Sequence, residues 1–324
     1  MPIPLLQAAL RDDLQAVDEV LREALHSDVA LIGRIADHII AGGGKRLRPA
    51  LLLLVAQACG YRGPHQHTLA AVIEMIHTAT LLHDDVVDES SLRRGHDTAN
   101  AIFGNSASVL VGDFLYSRAF QLMVTVDNTR VFQILAAATN IIAEGEVMQL
   151  SAAKNTATTE DEYLAVIRAK TAELFAAACE VGPVLTNRPK AEHAACRSFG
   201  MNLGIAFQLV DDVLDYGGKS AKLGKNVGDD FREGKITLPV VLSFRRGSES
   251  EREFWTRALE RGEVADSDLE TALGLMTKHR ALEDTIGRAQ HYAAIARDAL
   301  ALFPASEMKQ ALEEAVEFCT VRTH

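Results

Sequence analysis

Two aspartate stretches of equal spacing are the residues of this chain best suited to chemistry. The first spans Asp84–Asp88 (Asp-Asp-Val-Val-Asp) and the second spans Asp211–Asp215 (Asp-Asp-Val-Leu-Asp). In a helix, the first and fifth residues of such a stretch lie on one face, one turn apart. Carboxylates placed in this way repel each other, and the flanking sequence is apolar. Divalent cations are therefore the expected partners.

A solvated acidic helix face is the alternative explanation, and it would suffice for a single stretch. The apolar surroundings and the recurrence of the same spacing favour a functional role. Mg²⁺ is usually held by one or two carboxylates together with substrate phosphates and water. Two sets of carboxylates facing each other would therefore hold Mg²⁺ with a diphosphate between them. The candidate metal-site residues are Asp84, Asp85, Asp88, Asp211, Asp212 and Asp215.

Two clusters of cations could bind the phosphates. Lys45, Arg46 and Arg48 lie at the predicted start of a helix, where free backbone N–H groups favour anions. The spacing is not that of a P-loop, and a solvated basic turn explains this cluster equally well. Arg93 and Arg94 are more informative because they closely follow the first Asp stretch, and guanidinium groups bind phosphate through paired hydrogen bonds.

The histidines suggest one alternative class of enzyme but no catalytic nucleophile. His83 and Asp84 resemble the His-Asp pair of metal-dependent phosphohydrolases, but the other spaced ligands of those enzymes are not matched. His77 alone would be explained as a buried, hydrogen-bonded histidine. The spacing of Ser, Cys, His and Asp indicates no catalytic triad. The chemistry is therefore expected to depend on metal.

Composition limits the class of protein. Of 324 residues, 48% are apolar and only 6% aromatic, and the bias toward Ala and Leu favours helices over sheets. The net charge of −11 argues against a nucleic-acid partner. Four scattered cysteines indicate buried thiols in a reducing compartment. The most apolar run, 51–58, is too short to span a bilayer. We therefore expect a cytoplasmic protein without a transmembrane segment.

Helical periodicity runs through most of the chain and predicts an all-α bundle in a single domain, 1–324. The predicted helices include 66–90, 106–126, 130–150, 160–182 and 190–216. Segment 216–234 is rich in Gly and charge and directly follows the second Asp stretch, so we predict a functional loop or lid there.

These residues together resemble the trans-polyprenyl diphosphate synthases over nearly the whole chain. The motifs that carry the resemblance are, in the family's order, Gly42–Pro49 (GGGKRLRP), Ile76–Asp88 (IHTATLLHDDVVD), Arg93–Gly95 (RRG), Lys170–Thr171, Phe207–Asp212 (FQLVDD), Gly224–Asp230 (GKNVGDD) and Glu233–Lys235 (EGK). These seven motifs in one order are far more specific than any one of them. A small departure is Ile236, where relatives often carry proline.

The resemblance implies a helical bundle around a deep cavity, a homodimer, and Mg²⁺ as cofactor. It implies that Asp84, Asp88 and Asp211 bind Mg²⁺, supported by Asp85, Asp212 and Asp215. The residues that would hold the allylic diphosphate are Arg93, Lys170, Thr171, Gln208, Lys225 and Lys235. Those that would hold isopentenyl diphosphate are Lys45, Arg48, His77 and Arg94.

The resemblance also implies the reaction. The allylic C–O bond ionises while Mg²⁺ and the cations stabilise the leaving diphosphate, isopentenyl diphosphate attacks, and loss of a proton regenerates an allylic diphosphate. Repeated cycles from farnesyl diphosphate would give octaprenyl diphosphate, or a near neighbour, for quinone side chains such as that of ubiquinone. A transient membrane contact for product release is also expected.

Product length should depend on the residues just ahead of the first Asp stretch. Ala79 and Thr80 lie five and four residues before Asp84, and both are small. Short-chain members of the family often carry an aromatic residue there, which would block the growing tail. The small side chain of Ala79 thus predicts that the far end of the cavity is unblocked and that the product is long, although Ala is also common wherever two helices pack closely.

Other readings are a shorter-chain synthase, an HD-type phosphohydrolase and a non-catalytic subunit of a two-component synthase. Terpene cyclases carry a second metal motif with Asn, Ser and Glu, whereas the second stretch here is again aspartate-rich. A non-catalytic subunit would be expected to lack an Asp stretch, and this chain has both.

Overall fold

The protein is built almost entirely of helices, which confirms the predicted all-α class. The computed structural model describes residues 4–41, 44–93, 95–217 and 227–321. The α-helices are α1 (Pro4–Ala24), α2 (Ala30–Ala41), α3 (Leu47–Ala58), α4 (His65–Val87), α5 (Ala99–Phe103), α6 (Asn105–Thr125), α7 (Thr129–Ala152), α8 (Glu160–Ile167), α9 (Glu173–Leu185), α10 (Lys190–Tyr216), α11 (Asp229–Arg232), α12 (Leu238–Arg246), α13 (Glu249–Trp255), α14 (Asp268–Lys278), α15 (Ala281–Ala299) and α16 (Glu307–Val321).

Several helical segments depart from α geometry. A π-helical segment, Arg168–Ala172, joins α8 to α9, and another, Thr256–Glu260, follows α13. A 3₁₀ turn, Leu300–Leu302, follows α15. Segments of π-helix are rare and often lie at functional sites. The first of them contains two of the predicted substrate-binding residues, Lys170 and Thr171.

Capping side chains explain where two of the helices begin. The backbone N–H of Glu162 donates to Thr159 Oγ1 (3.3 Å), and the backbone N–H of Thr159 donates to Glu162 Oε2 (2.8 Å). Ser248 and Glu251 form the same reciprocal arrangement at α13. Each arrangement satisfies backbone donors that a helix start leaves without intrahelical partners.

The end of α4 positions the first Asp stretch. The helix ends at Val87, slightly before the predicted end at residue 90, because Glu89 adopts a positive φ of 52°. A short antiparallel hairpin of β1 (Leu92–Arg93) and β2 (His96–Asp97) follows. The sequence did not predict these strands, since two-residue strands leave no readable alternation.

The region after α10 bears on the predicted lid. Residues 218–226 of that segment lie outside the described part of the chain. Beyond them, the backbone N–H of Gly228 donates to the Asp215 carbonyl (2.8 Å), and that of Asp230 donates to Asp215 Oδ2 (3.0 Å). The start of α11 is thereby attached to the second Asp stretch. The lid itself stays a prediction.

Backbone contacts divide the chain into two compact units. The first comprises Met1–Thr139, Leu174–Gly200 and Ala299–Ala315, and the second comprises Asn140–Glu173, Met201–Asp298 and Val316–His324. The prediction of one domain over residues 1–324 therefore stays a prediction.

Helix α3 lies at the centre of the first unit. Leu47 and all of residues 49–56 are buried, and a helix that is apolar on every side belongs inside a core. Helix α4 packs against α1, α3 and α6. The core of the second unit is centred on Trp255, which is fully buried and in edge-on contact with Phe231 and Phe254.

Helix α7 is the one helix in the described ranges that is long and apolar enough to cross a membrane by length and composition. Only 33% of its most apolar window is buried, and Val147, Met148 and Leu150 are exposed on it. The cysteines Cys59, Cys179, Cys196 and Cys319 are all buried thiols outside any disulfide, which confirms the prediction of buried thiols.

Candidate active site

The first Asp stretch forms the last turn of α4. The backbone N–H of Asp88 donates to the Asp84 carbonyl (2.8 Å), so these two residues lie one turn apart, as predicted. Both are half-buried, whereas Asp85 is only 4% exposed. The three carboxylates therefore do not share one environment.

Asp85 holds Arg93 in place. The Nε atom of Arg93 donates to Asp85 Oδ1 (2.8 Å), and its Nη2 atom lies 2.6 Å from the same oxygen. Burial raises the pKa of the Asp85 carboxyl above its ordinary value, although the hydrogen bond from Arg93 opposes the shift. Asn100 Nδ2 donates to the carbonyls of Asp85 (3.0 Å) and Ser90 (3.1 Å) and anchors the connection to the hairpin. Arg94 lies outside the described residues.

The start of α3 meets the middle of α4. Arg48 Nη1 lies 3.1 Å from His77 Nε2, and the Arg48 guanidinium lies 4.4 Å from the centre of the Phe175 ring, a cation–π contact. Lys45 is exposed just ahead of the helix. The structure thus brings together Arg48 and His77, two of the residues predicted to bind isopentenyl diphosphate.

Arg46 has a different environment from its basic neighbours. It caps the start of α3 with a φ of 48°, in the left-handed region, which is uncommon for a residue with a side chain. Its Nη1 atom lies 2.5 Å from Glu74 Oε1 on α4, and its Nη2 atom lies 3.5 Å from Asp18 on α1. Arg46 is therefore tied into the core of its unit.

The second Asp stretch lies at the end of α10 and is more deeply buried than the first. Asp211 is half-buried, whereas Asp212 and Asp215 are each 3% exposed. Asp212 Oδ1 accepts a hydrogen bond from Gln208 Nε2 (2.8 Å), and Oδ2 accepts one from the Tyr163 hydroxyl. Burial raises the pKa of Asp212 to about 7, although both hydrogen bonds lower it.

The π-helical segment Arg168–Ala172 presents two predicted site residues. Lys170 Nζ donates to Glu146 Oε2 on α7 (2.6 Å), and Thr171 Oγ1 donates to Gln208 Oε1 (3.0 Å). Gly145 allows α7 to approach this segment closely, because a Cβ atom there would lie 2.7 Å from the Lys170 backbone nitrogen. Thr171, Gln208 and Asp212 therefore form one hydrogen-bonded group.

Lys235 and Lys225 complete the predicted cations. Lys235 Nζ lies 2.6 Å from Glu233 Oε2, and its backbone N–H donates to the Asp230 carbonyl (2.9 Å). Gly234 supplies a positive φ of 72° in this turn, which glycine adopts without strain. Lys225 lies outside the described residues.

The residues predicted to set chain length lie inside α4. Ala79 is fully buried, and Thr80 is half-buried with its hydroxyl donating to the His77 carbonyl (2.7 Å). An alanine at a fully buried position marks a place where a larger side chain would displace its neighbours. The role of both residues in chain length stays a prediction.

The donor set fits Mg²⁺ better than a softer metal. Among the residues that the structure describes, no three His, Cys, Asp or Glu side chains form a metal-binding group by themselves. Mg²⁺ does not require such a cage, because it is commonly bound by one or two carboxylates with substrate phosphates and water. Asp84 and Asp88, one turn apart and half-buried, match that requirement.

Sequence reasoning missed three residues that position the predicted ones: Glu74, Glu146 and Tyr163. Tyr163 is 5% exposed within an otherwise apolar part of α8. A tyrosine buried in an apolar stretch usually needs a partner for its hydroxyl, and this was the only signal available. Its partner is separated from it by 49 residues.

The chain belongs to the polyprenyl synthetase family, whose model matches residues 29–276. It is accordingly a prenyltransferase, as the resemblance implied. The octaprenyl diphosphate synthase of Haemophilus influenzae is 46% identical over 312 residues, which cover 96% of this chain and 94% of that protein.

Solved structures show the same fold along the whole chain. The decaprenyl diphosphate synthase of Rhodobacter capsulatus is 52% identical with a TM-score of 0.94, and the match covers 100% of both chains. A polyprenyl synthase from Caulobacter crescentus CB15, complexed with calcium and isoprenyl diphosphate, is 48% identical with a TM-score of 0.96, covering 99% of this chain and 98% of that one. The predicted family and fold class are confirmed.

Proposed function

We propose that this protein lengthens an allylic diphosphate by repeated head-to-tail addition of isopentenyl diphosphate. Farnesyl diphosphate is the proposed primer, and octaprenyl diphosphate or a near neighbour is the proposed product. The observation that carries the proposal is the Asp85–Arg93 pair, which fixes a guanidinium beside Asp84 and Asp88. The names of the similar proteins, an octaprenyl and a decaprenyl diphosphate synthase, support a long product.

The allylic diphosphate would be held by cations and by polar donors. Arg93 offers a guanidinium, which suits phosphate oxygens, and Lys170 is presented by the π-helical segment. Thr171 and Gln208 add neutral hydrogen-bonding groups. Lys225 and Lys235 would complete the binding set. These residues neutralise charge that develops on the diphosphate as the allylic C–O bond ionises.

Metal binding would fall to Asp84, Asp88 and Asp211, with Asp85, Asp212 and Asp215 in supporting roles. Bound there, Mg²⁺ supplies Lewis-acid stabilisation of the departing diphosphate. The supporting role suits Asp85 and Asp212 because their oxygens accept hydrogen bonds from Arg93, Gln208 and Tyr163.

Isopentenyl diphosphate would bind to Lys45, Arg48, His77 and Arg94. Arg48 is oriented by His77 and by the Phe175 ring, so its guanidinium loses little freedom when a phosphate binds. The double bond of isopentenyl diphosphate attacks the allylic carbocation. The proton lost in the next step would pass to the released diphosphate.

Water would destroy the carbocation, so the site must close during the reaction. We propose segment 216–234 as the lid. Its described part is attached to Asp215 by the backbone of residues 228 and 230, which would couple lid position to the second Asp stretch.

A homodimer is also proposed. Helix α6 exposes Val109, Leu110 and Val124, and α7 exposes three further apolar side chains. Apolar surface of this kind is usually covered by another protein or by lipid, and a second copy is the proposed cover. Sedimentation analysis would test it. A cytoplasmic location, a role in ubiquinone side-chain synthesis and transient membrane contact stay predictions.

The HD-type phosphohydrolase alternative is not favoured. His83 Nε2 lies 3.2 Å from the Val109 carbonyl and 3.4 Å from Asp113 Oδ1, both on α6. Helix α6 thus holds this nitrogen, and the family to which the chain belongs is that of the polyprenyl synthetases.

The proposal is tested by incubating the protein with farnesyl diphosphate, isopentenyl diphosphate and Mg²⁺ and separating the dephosphorylated products by chromatography. We expect long all-trans products whose formation stops when a chelator removes Mg²⁺. Products of fifteen to twenty carbons alone would support a short-chain synthase. Release of phosphate without added isoprenoid would support the phosphohydrolase.

A further inference from the structure

We propose that Tyr163 is a positioning residue for the allylic diphosphate, acting through Asp212 on Gln208. This inference rests on the proposed function of the second Asp stretch and the Lys170–Thr171 segment. The Tyr163 hydroxyl donates to one oxygen of Asp212, and Gln208 Nε2 donates to the other (2.8 Å). Gln208 Oε1 in turn accepts from Thr171 Oγ1 (3.0 Å).

The direction of each hydrogen bond follows from the chemistry of the groups. The Oδ1 atom of Asp212 accepts from Gln208 Nε2 (2.8 Å), so the NH₂ end of the amide is turned toward Asp212. The carbonyl end of that amide then faces Thr171. With its NH₂ fixed, Gln208 also has a second N–H, which is suited to a phosphate oxygen. The one hydroxyl proton of Thr171 is donated to Gln208, so Thr171 holds the amide in place, and the donor that Tyr163 orients toward the diphosphate is the second N–H of Gln208.

The contacts form a closed ring across the π-helical segment. Tyr163 lies on α8, and Thr171 lies eight residues further along the same helical run, within Arg168–Ala172. Asp212 and Gln208, one turn apart on α10, join the two ends. A π-helical segment changes the register of the residues after it. A ring that spans the segment fixes where Lys170 and Thr171 point.

Because its members are buried, this closed set of hydrogen bonds is specific. Tyr163 is 5% exposed and Asp212 is 3% exposed, and a buried carboxylate needs donors at its oxygens. The Tyr163 ring packs in the apolar core of the second unit, where a phenylalanine would fill the same space. The apolar core therefore does not require the Tyr163 hydroxyl, whereas the site does.

The test is the Tyr163→Phe variant of the full chain. We expect the KM for farnesyl diphosphate to rise about tenfold, the effect of losing one hydrogen bond to a charged group. The KM for isopentenyl diphosphate should stay within about twofold of the wild-type value, because the residues proposed to bind that substrate are not part of this hydrogen-bonded set. The matched control is Tyr292→Phe, which removes a hydroxyl 3.4 Å from Arg168 Nη2 in the same unit and should change neither constant.

A double-mutant cycle separates positioning from general structural damage. In a Gln208→Leu background, Tyr163→Phe should raise the KM for farnesyl diphosphate no further, because both residues act through one chain of contacts. The inference would be overturned if the two substitutions multiplied each other's effects on the KM for farnesyl diphosphate. An unchanged KM in Tyr163→Phe, or an equal rise in the KM values for both substrates, would also overturn it. A wild-type protein that fails to elongate farnesyl diphosphate would overturn the proposed function as well. Normal wild-type elongation with an unaffected Tyr163→Phe variant would overturn this inference alone.

Discussion

Arg48 Nη1 on α3 lies 3.1 Å from Nε2 of His77 on α4. Because a guanidinium can only donate, His77 accepts at Nε2 and carries its proton at Nδ1. The Phe175 ring lies against the same guanidinium, with its centre at 4.4 Å from Cζ. The cation proposed to bind isopentenyl diphosphate is therefore oriented before substrate arrives.

His77→Ala should weaken the binding of isopentenyl diphosphate. Arg48 loses its acceptor and gains rotational freedom, so we expect the KM for isopentenyl diphosphate to rise about tenfold. Steady-state kinetics at saturating farnesyl diphosphate would measure it. His291→Ala, at an exposed position of α15, is the control and should behave as wild type. An unchanged KM in His77→Ala would remove His77 from this site.

Arg46→Ala should reduce stability. Glu74 is 8% exposed, and removing its cation leaves a buried charge without compensation, which costs about 3–5 kcal/mol. Urea unfolding followed by circular dichroism would measure the free energy of unfolding. The control is Arg280→Ala, because the Arg280–Glu283 pair is 74% and 67% exposed and such pairs contribute about 0–1 kcal/mol. Equal losses in the two variants would contradict the structural role of Arg46.

Gly145→Ala should disturb the π-helical segment. The new Cβ atom would lie 2.7 Å from the Lys170 backbone nitrogen, so α7 must shift, at a cost of about 1–3 kcal/mol. The KM for farnesyl diphosphate should also rise. At Gly274 on α14, a Cβ atom meets nothing within 4 Å, so Gly274→Ala should be neutral or stabilise by about 0.5–1 kcal/mol. Similar unfolding energies for both variants would show that α7 tolerates the contact.

Asp84→Ala should abolish condensation and leave the fold intact. Asp84 is half-buried at the end of α4, and losing one of two neighbouring carboxylates also removes a repulsion. Product formation and the thermal unfolding midpoint would be measured together. Asp298→Ala, at an exposed position of α15, should retain full activity. Near-normal turnover of Asp84→Ala would exclude Asp84 from the metal site.

Ala79→Tyr should shorten the product. Ala79 is fully buried, so the phenol would fill any space into which a growing tail extends, and it should also lower stability by about 1–3 kcal/mol through overpacking. Chromatography of the products would show the shift. Ala294→Tyr, at an exposed site, should leave the distribution unchanged. An unchanged distribution of product lengths in Ala79→Tyr would show that Ala79 does not control chain length.

Helices and their approximate limits could be predicted because they depend on local interactions. The periodicity placed α4, α6, α7 and α10 within a few residues of their observed limits, since each apolar stripe recurs every three to four residues. The Arg46–Glu74 and Tyr163–Asp212 contacts could not be predicted. Their partners are 28 and 49 residues apart, and only the packing register of two helices brings them together.

The sequence by itself determined the helical class, the family motifs and the one-turn spacing of the outer carboxylates in each Asp stretch. The tertiary structure decided which carboxylates of each stretch face inward. Asp85 is the buried one in the first stretch, at 4% exposure, whereas Asp212 and Asp215 are both buried in the second, at 3% each. Asp85 meets Arg93, and Asp212 meets Tyr163. Adjacent helical residues differ in direction by about 100°, so the spacing shows that neighbouring aspartates point apart. Packing against other helices alone determines which of those directions is the core.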